Sequence, residues 1–222
     1  MKKDYTHIAV ILDRTGSMES IRDDTIGGFN AFLDQQKKEP GLATLTLVQF
    51  DDQDPYEVLH KFKTLSKVPE LTRETFVPRA TTPLLDAMGR GINDLEKSLA
   101  DMKEDERPSR VVMVIITDGQ ENASREFKKD QIEKMIKEKQ DKSDWQFVFL
   151  SADLAAIGDA QASGVRGASM MAFDKTAMGT AAVWASASER ISDYRADRCK
   201  SVSFTKEDRD QQDSEKKRRK PK

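Results

Sequence analysis

The stretch "HIAVILDRTGS" begins as an apolar segment typical of a buried strand and ends in an acid followed by two hydroxyls. Asp13 closes the apolar run, and Thr15 and Ser17 follow it at alternate positions around Gly16. An isolated buried carboxylate is costly, so Asp13 needs a hydrogen-bonding partner, a counter-ion or a bound cation. A tight loop at Gly16 can turn both hydroxyls toward one point beside the carboxylate.

Two further segments carry the same kinds of oxygen at comparable positions. The apolar run "RVVMVIIT" is followed by Asp118, and Thr81 and Thr82 occupy the loop "TTPLLDA" just before a helix. Oxygen ligands with no histidine or cysteine beside them suit Mg²⁺ or Mn²⁺, with Ca²⁺ ranked behind these two and zinc disfavoured. The sequence therefore predicts a divalent metal site formed by Asp13, Thr15, Ser17 and Asp118 together with Thr81 or Thr82.

Strand-like and helical patterns alternate along the chain, as they must to bring these residues together. Apolar, strand-like runs recur at 7–12, 43–50, 110–117, 145–152 and, in a shorter form, 169–173. Runs that are apolar nearly throughout indicate a parallel sheet covered on both faces. The turn "DDQDP" is too short for a crossover helix, so "YEVLHKFKTL" is expected to return antiparallel at the sheet edge. We therefore predict a doubly wound α/β domain with six mostly parallel strands, one antiparallel edge strand and helices on both faces.

Composition bounds the organisation of the chain and its partners. The domain is predicted to span residues 1–198, and residues 199–222 are predicted to form a disordered, charged tail. The formal net charge of −2 gives no strong field toward membranes or nucleic acid, although the basic end "KKRRKPK" could contact nucleic acid. Cys199 is the only cysteine, so neither a disulfide framework nor a cysteine-based metal site is expected. No apolar run has the length of a signal or a membrane span, and a cytoplasmic protein is expected.

The three oxygen-bearing loops resemble those of the von Willebrand factor A (vWA) domain, also called the integrin-type inserted domain. The metal-ion-dependent adhesion site (MIDAS) of that family reads Asp-x-Ser-x-Ser on the first loop. A threonine stands on the second loop, and an aspartate, commonly within Thr-Asp-Gly, stands on the third. Here the loops read "DRTGSM", "TTPLLDA" and "TDG", with Thr15 where serine is usual. The resemblance covers roughly residues 5–195 and is to the intracellular bacterial or phage type.

The resemblance implies a Rossmann-like fold and a non-enzymatic module that binds proteins through a divalent cation. It implies that the hydroxyls of Thr15, Ser17 and Thr82 contact the metal. Asp13 and Asp118 would act partly through waters or by orienting those hydroxyls. The cation would keep an open coordination position, which an Asp or Glu of a protein partner would complete.

Two other interpretations stay open. An aspartate at the end of a first strand can also be a nucleophile toward phosphate, as in phosphatases or phosphotransferases of the haloacid-dehalogenase type. That pattern needs a second aspartate two positions later, where this chain has Thr15. The other interpretation is a metal-free scaffold of the same fold. Helix capping explains Asp13 and Ser17 but leaves Asp118 and Thr82 unexplained.

Polar residues near the motifs are assigned structural roles. Thr81 is expected to be a spacer beside Thr82, and Asp86 is expected on the exposed face of its helix. Asp153 is expected to cap the segment that follows it rather than to reach the metal. The acids at 51–55 are expected to form a solvated turn, because they lack the spacing of a calcium-binding loop.

Overall fold

The structure, a computed structural model, describes residues 1–218 and the side chains of residues 1–212. Within these residues six strands form one sheet, and six α-helices accompany it. The strands are β1 (Lys2–Asp13), β2 (Leu42–Phe50), β3 (Glu57–Thr64), β4 (Pro108–Thr117), β5 (Gln146–Ser151) and β6 (Met170–Ala172). The helices are α1 (Arg22–Lys38), α2 (Leu84–Asp101), α3 (Lys129–Ser143), α4 (Leu154–Ala162), α5 (Ala177–Arg195) and α6 (Lys206–Arg218).

The strand order is β3-β2-β1-β4-β5-β6. Strand β1 pairs in parallel with β2 and β4, β5 and β6 continue the parallel arrangement, and β3 returns antiparallel to β2 at the edge. The predicted six-stranded, doubly wound sheet with one antiparallel edge strand is confirmed. Successive connections diverge on either side of β1, so the carboxyl ends of β1 and β4 flank the topological switch point. Ligands of open α/β sheets bind at such a point.

Two hydrophobic layers cover the sheet, and β1 contributes to both. Ile8, Val10 and Leu12 pack into the layer that contains α1 and α5. Ala9 and Ile11 pack into the opposite layer, which contains α2, α3 and α4. This alternation explains why the sequence of β1 is apolar at nearly every position, since both faces of the strand are buried.

The C-terminal segment differs from the prediction of a domain that ends at residue 198. Val202 and Phe204 are buried in the same layer as α1 and α5, and α6 follows them. Arg209 Nη1 donates to the Met170 carbonyl at 2.9 Å, which ties α6 to β6. The prediction of a disordered tail is therefore wrong for residues 199–212, because two isolated apolar residues and side-chain hydrogen bonds dock this polar segment. Residues 219–222 of the basic end "KKRRKPK" lie outside the described residues.

The helices can be considered as possible membrane spans. Within residues 1–218, no helix combines the length and the apolar character needed to cross a bilayer.

Candidate metal site

Three loops meet at the switch point and bring hydroxyl and carboxylate oxygens together. The Ser17 hydroxyl donates a 2.6 Å hydrogen bond to Oδ1 of Asp118 and lies 3.3 Å from the Thr15 hydroxyl. A Cβ added to Gly119 would lie 3.8 Å from Ser17 Oγ and 3.9 Å from Thr82 Oγ1, so these two hydroxyls flank the same point. The structure thus brings the hydroxyls of the first and second loops to the aspartate of the third.

Asp13, the last residue of β1, has no exposed surface, and protein groups bind both of its carboxylate oxygens. The Thr15 backbone N–H donates to Oδ1 at 2.7 Å, and the Thr117 hydroxyl donates to Oδ2 at 2.5 Å. Burial raises the pKa of Asp13 to about 6, against the opposing effect of these hydrogen bonds. Asp13 therefore orients the first loop. Thr117 is absent from the predicted site residues, although its place in "TDG" at a strand end is a usable signal.

Buried ion pairs fix the first loop to the turn between β2 and β3. The Arg14 guanidinium donates from Nε to Oδ2 of Asp51 at 2.8 Å and also pairs with Glu57. Arg79, on the second loop, donates to the same oxygen of Asp51 at 2.9 Å. Asp51 is fully buried, so the prediction of a solvated turn is wrong for this residue. Its burial is tolerated because two guanidinium groups compensate the charge.

The second loop is held by the chain that follows β4. The Thr82 N–H donates to Asn122 Oδ1 at 2.8 Å, and the Asn122 N–H donates to the Thr82 carbonyl at 3.1 Å. Asp86 is buried rather than exposed as predicted, because its carboxylate accepts three backbone N–H groups from residues 125–127. Thr81 turns away and donates to a carboxylate of the β2–β3 turn at 2.6 Å, in keeping with a spacer role.

The rim beyond β5 carries Asp153, whose predicted capping role is confirmed. Its carboxylate accepts the N–H groups of Ala155 and Ala156 at the start of α4, at 2.7 and 3.1 Å. Gln120, on the third loop, donates to the second oxygen of the same carboxylate at 3.1 Å. This contact ties the rim at α4 to the loop that carries Asp118.

The oxygen set fits a hard divalent cation. The Asp118 side chain has no exposed surface, and its Oδ2 accepts no hydrogen bond from the described residues, although Nζ of Lys175 lies 2.9 Å away. This buried oxygen and the hydroxyls beside it match the ligand preferences of Mg²⁺ and Mn²⁺. Within the described residues no group of three or more His, Cys, Asp or Glu side chains could hold a metal. A metal here would therefore depend on the hydroxyl oxygens.

The sheet order, the antiparallel edge strand and the position of the loops define a vWA-like, Rossmann-type fold. Among solved structures, the chain is similar to proximal thread matrix protein 1 (PTMP1) from the mussel byssus, with a TM-score of 0.55 and 14% identity. This match covers 85% of the chain and 46% of PTMP1. The chain thus spans about half the length of PTMP1. PTMP1 is also known with a zinc-occupied MIDAS motif, at a TM-score of 0.51, 14% identity and coverage of 88% and 45%.

Two further similar structures come from other organisms. The pilus adhesin SpaC of Lactobacillus rhamnosus GG has a TM-score of 0.63 and 13% identity, with 86% of this chain and 30% of SpaC covered. The manganese-loaded TRAP protein of Plasmodium vivax has a TM-score of 0.55 and 16% identity, with 79% of this chain and 70% of that chain covered. At these identities the likeness shows the fold alone. No protein-family model and no curated protein matches the sequence.

Proposed function

We propose that this chain is a non-enzymatic protein-binding module that uses a divalent cation to capture an acidic side chain of a partner protein. The observation that carries the proposal is the Ser17 hydroxyl bonded to the buried Asp118 carboxylate, with the Thr82 hydroxyl beside the adjoining Gly119 at the switch point. The zinc-occupied MIDAS of PTMP1 and the manganese-loaded TRAP protein support a cation in this fold. We propose Mg²⁺ as the cellular ion, with Mn²⁺ as its substitute.

The chemistry of the ligand set explains how such a module would work. Thr15, Ser17 and Thr82 would hold the cation through neutral hydroxyl oxygens, Asp118 would supply charge, and Asp13 would orient the first loop. A bound cation supplies an electrophilic position that a carboxylate oxygen can complete. Because few of its ligands are charged, the cation would keep most of its positive charge and attract an Asp or Glu from the partner.

The contacts of Asp13 favour binding over phosphoryl transfer. A nucleophilic carboxylate needs a free oxygen that can approach its substrate. Both oxygens of Asp13 accept hydrogen bonds, and the side chain has no exposed surface. Thr15 also replaces the second aspartate of the haloacid-dehalogenase pattern.

The proposal includes a cytoplasmic location and an intracellular protein of bacterial or phage type.

Calorimetric titration of Mg²⁺ and Mn²⁺ into metal-stripped protein tests the cation site. We expect one saturable site per chain, with affinity reduced roughly tenfold or more in Thr82→Val, because valine lacks the hydroxyl. Thr81→Val is the matched control, since this neighbouring hydroxyl points to the β2–β3 turn. Equal loss of affinity in both variants would count against the site.

Water-proton relaxation of the Mn²⁺-loaded protein tests the open position. We expect the bound ion to enhance relaxation through exchangeable water, and acetate, as a minimal carboxylate, to reduce that enhancement. An enhancement that acetate leaves unchanged would argue against capture of a partner's acid. Mg²⁺-dependent hydrolysis of p-nitrophenyl phosphate that disappears in Asp13→Asn would instead support an enzyme.

A further inference from the structure

A lysine outside all three motif loops lies against the aspartate of the third loop. Nζ of Lys175 is 2.9 Å from Oδ2 of Asp118, and their side chains are 40% and 0% exposed. The other oxygen of Asp118 accepts the Ser17 hydroxyl at 2.6 Å. The Lys175 contact is an ion pair without hydrogen-bond geometry, because Oδ2 accepts no hydrogen bond from the described residues. The lysine therefore compensates the buried charge of Asp118 through an ion pair alone.

The loop that carries Lys175 is anchored at the start of α5, and only the lysine side chain reaches Asp118. Thr176 caps α5, and its hydroxyl accepts the Gly179 N–H at 2.9 Å. A Cβ added to Gly179 would lie 2.4 Å from the carbonyl oxygen of Asp174, so the helix start packs directly on the loop. The ammonium sits on a flexible four-carbon stem. A fixed backbone with a mobile charge lets Lys175 leave Asp118 without unfolding the loop.

We infer that Lys175 is a built-in counter-ion that occupies the metal-binding aspartate in the metal-free protein and is displaced when a divalent cation binds. This inference rests on the proposed function. An ammonium and a divalent cation on the same carboxylate oxygen would repel each other strongly in a buried site. Without either cation, Asp118 would be an uncompensated buried charge, which is costly. Lys175 therefore lowers metal affinity while it stabilises the metal-free state.

The charge of Lys175 also acts on the carboxylate of Asp153 at the rim. The pKa of Asp153 lies below its ordinary value, first because Gln120 donates a hydrogen bond to it and also because the charge of Lys175 is near. Lys175 thus already lies within electrostatic range of the rim as well as of Asp118. Once displaced, its charge stays beside the open position of the metal, where it attracts the same partner carboxylate as the cation does.

Manganese titration and unfolding of the metal-free protein, both at fixed ionic strength, test this role of Lys175. We expect Lys175→Met to bind Mn²⁺ roughly tenfold more tightly, equivalent to about 1.4 kcal/mol. Lys175→Glu should bind more tightly still, and Lys175→Arg should keep the affinity near that of the wild type. The metal-free Lys175→Met protein should also melt at a lower temperature than the wild type, and saturating Mn²⁺ should remove the difference.

Lys61→Met is the matched control. Lys61 is 47% exposed and pairs with Asp94 at 2.6 Å, but it lies on β3 at the opposite edge of the sheet from β6. This control should leave the Mn²⁺ affinity unchanged. A wild type that binds Mn²⁺ with an affinity equal to that of Lys175→Met would overturn the counter-ion role while leaving the proposed function intact.

The remaining outcomes separate the two claims. Failure of the wild type and every Lys175 variant to bind Mn²⁺ would overturn the proposed function and this inference with it. Binding by Lys175→Met alone would support the inference, because it would show that the lysine closes the site.

Discussion

The hydroxyl of Thr117 should stabilise the ionised form of Asp13. The substitution Thr117→Val should remove this stabilisation. Thr117 donates to Oδ2 of Asp13 at 2.5 Å, inside a site where Asp13 has no exposed surface. Valine keeps the branched shape of threonine but cannot donate, so the carboxylate loses one of its two hydrogen bonds. A hydrogen bond to a charged group contributes roughly 1.5–3 kcal/mol.

The direction of the pH effect follows from the pKa of Asp13. Burial raises this pKa to about 6, and the hydrogen bond from Thr117 opposes the rise. Loss of the hydrogen bond therefore raises the pKa further. Because the metal needs ionised Asp13, wild-type affinity should fall below about pH 6, and the affinity of Thr117→Val should begin to fall at higher pH. At pH 7 the variant should bind Mn²⁺ roughly two- to fifteenfold more weakly, because a loss of roughly 1.5–3 kcal/mol lowers the ionised fraction of Asp13 by that factor, and the difference should grow toward lower pH.

Calorimetric titration with Mn²⁺ at pH 6, 7 and 8 measures this effect, with thermal unfolding alongside. Thr25→Val is the matched control, because Thr25 is fully buried and its hydroxyl has no hydrogen-bond partner among the described residues. Its affinity should equal that of the wild type at each pH. Equal affinities of Thr117→Val and wild type at pH 6 and pH 8, with folding intact, would refute the reasoning.

Three further predictions concern stability and are measured by urea or thermal unfolding. Burial lowers the pKa of His7 from 6.5 to about 3, so the unfolded chain binds a proton between these values that the folded protein does not. The contribution of His7 to stability should fall by about 2 kcal/mol from pH 7.5 to pH 5, partly offset because the folded protein takes up a proton at Asp13 in the same range. The difference between the stability profiles of the wild type and His7→Phe should therefore show the His7 contribution. Asp86→Ala should cost about 3 kcal/mol, because it leaves three backbone N–H groups of residues 125–127 without their acceptor; an unchanged midpoint would contradict this. Phe204→Ala should cost about 3 kcal/mol through loss of buried surface, whereas a disordered tail would show no change.

The sheet and the position of the metal site could be predicted because both depend on local patterns. Strand β4 is apolar at nearly every position and ends at "TDG", so its burial and the place of Asp118 follow from the sequence. The supporting contacts could not be predicted in this way. Asp51 and Asp86 look like surface acids until the fold brings Arg14 or a distant backbone segment against them. Lys175 follows a three-residue strand and belongs to no motif, so only the fold places it beside Asp118.

The C-terminal segment shows the same limit. Only Val202 and Phe204 stand out as apolar in a charged stretch, and such composition is typical of disorder. Their burial depends on a layer built by α1 and α5, which no pattern within residues 199–212 reveals. The short helix α4 is also difficult to predict, because its main signal in the sequence is Asp153, whose carboxylate caps the start of the helix.

The charges at the site explain why a lysine that weakens metal binding would serve an adhesion-type module. Asp13 and Asp118 each carry a negative charge when ionised, and these charges would offset part of the attraction between a bound divalent cation and an acidic partner. Lys175 adds a positive charge beside Asp118, so the metal-loaded site keeps a net positive charge. Asp153 also carries a negative charge at the rim, but it caps α4, and the positive end of the helix dipole compensates part of that charge. Lys175 would thus weaken metal binding but strengthen the attraction of the metal-loaded site for the partner's carboxylate. We therefore expect Lys175→Met to raise the affinity for Mn²⁺ and to reduce the effect of acetate on water-proton relaxation.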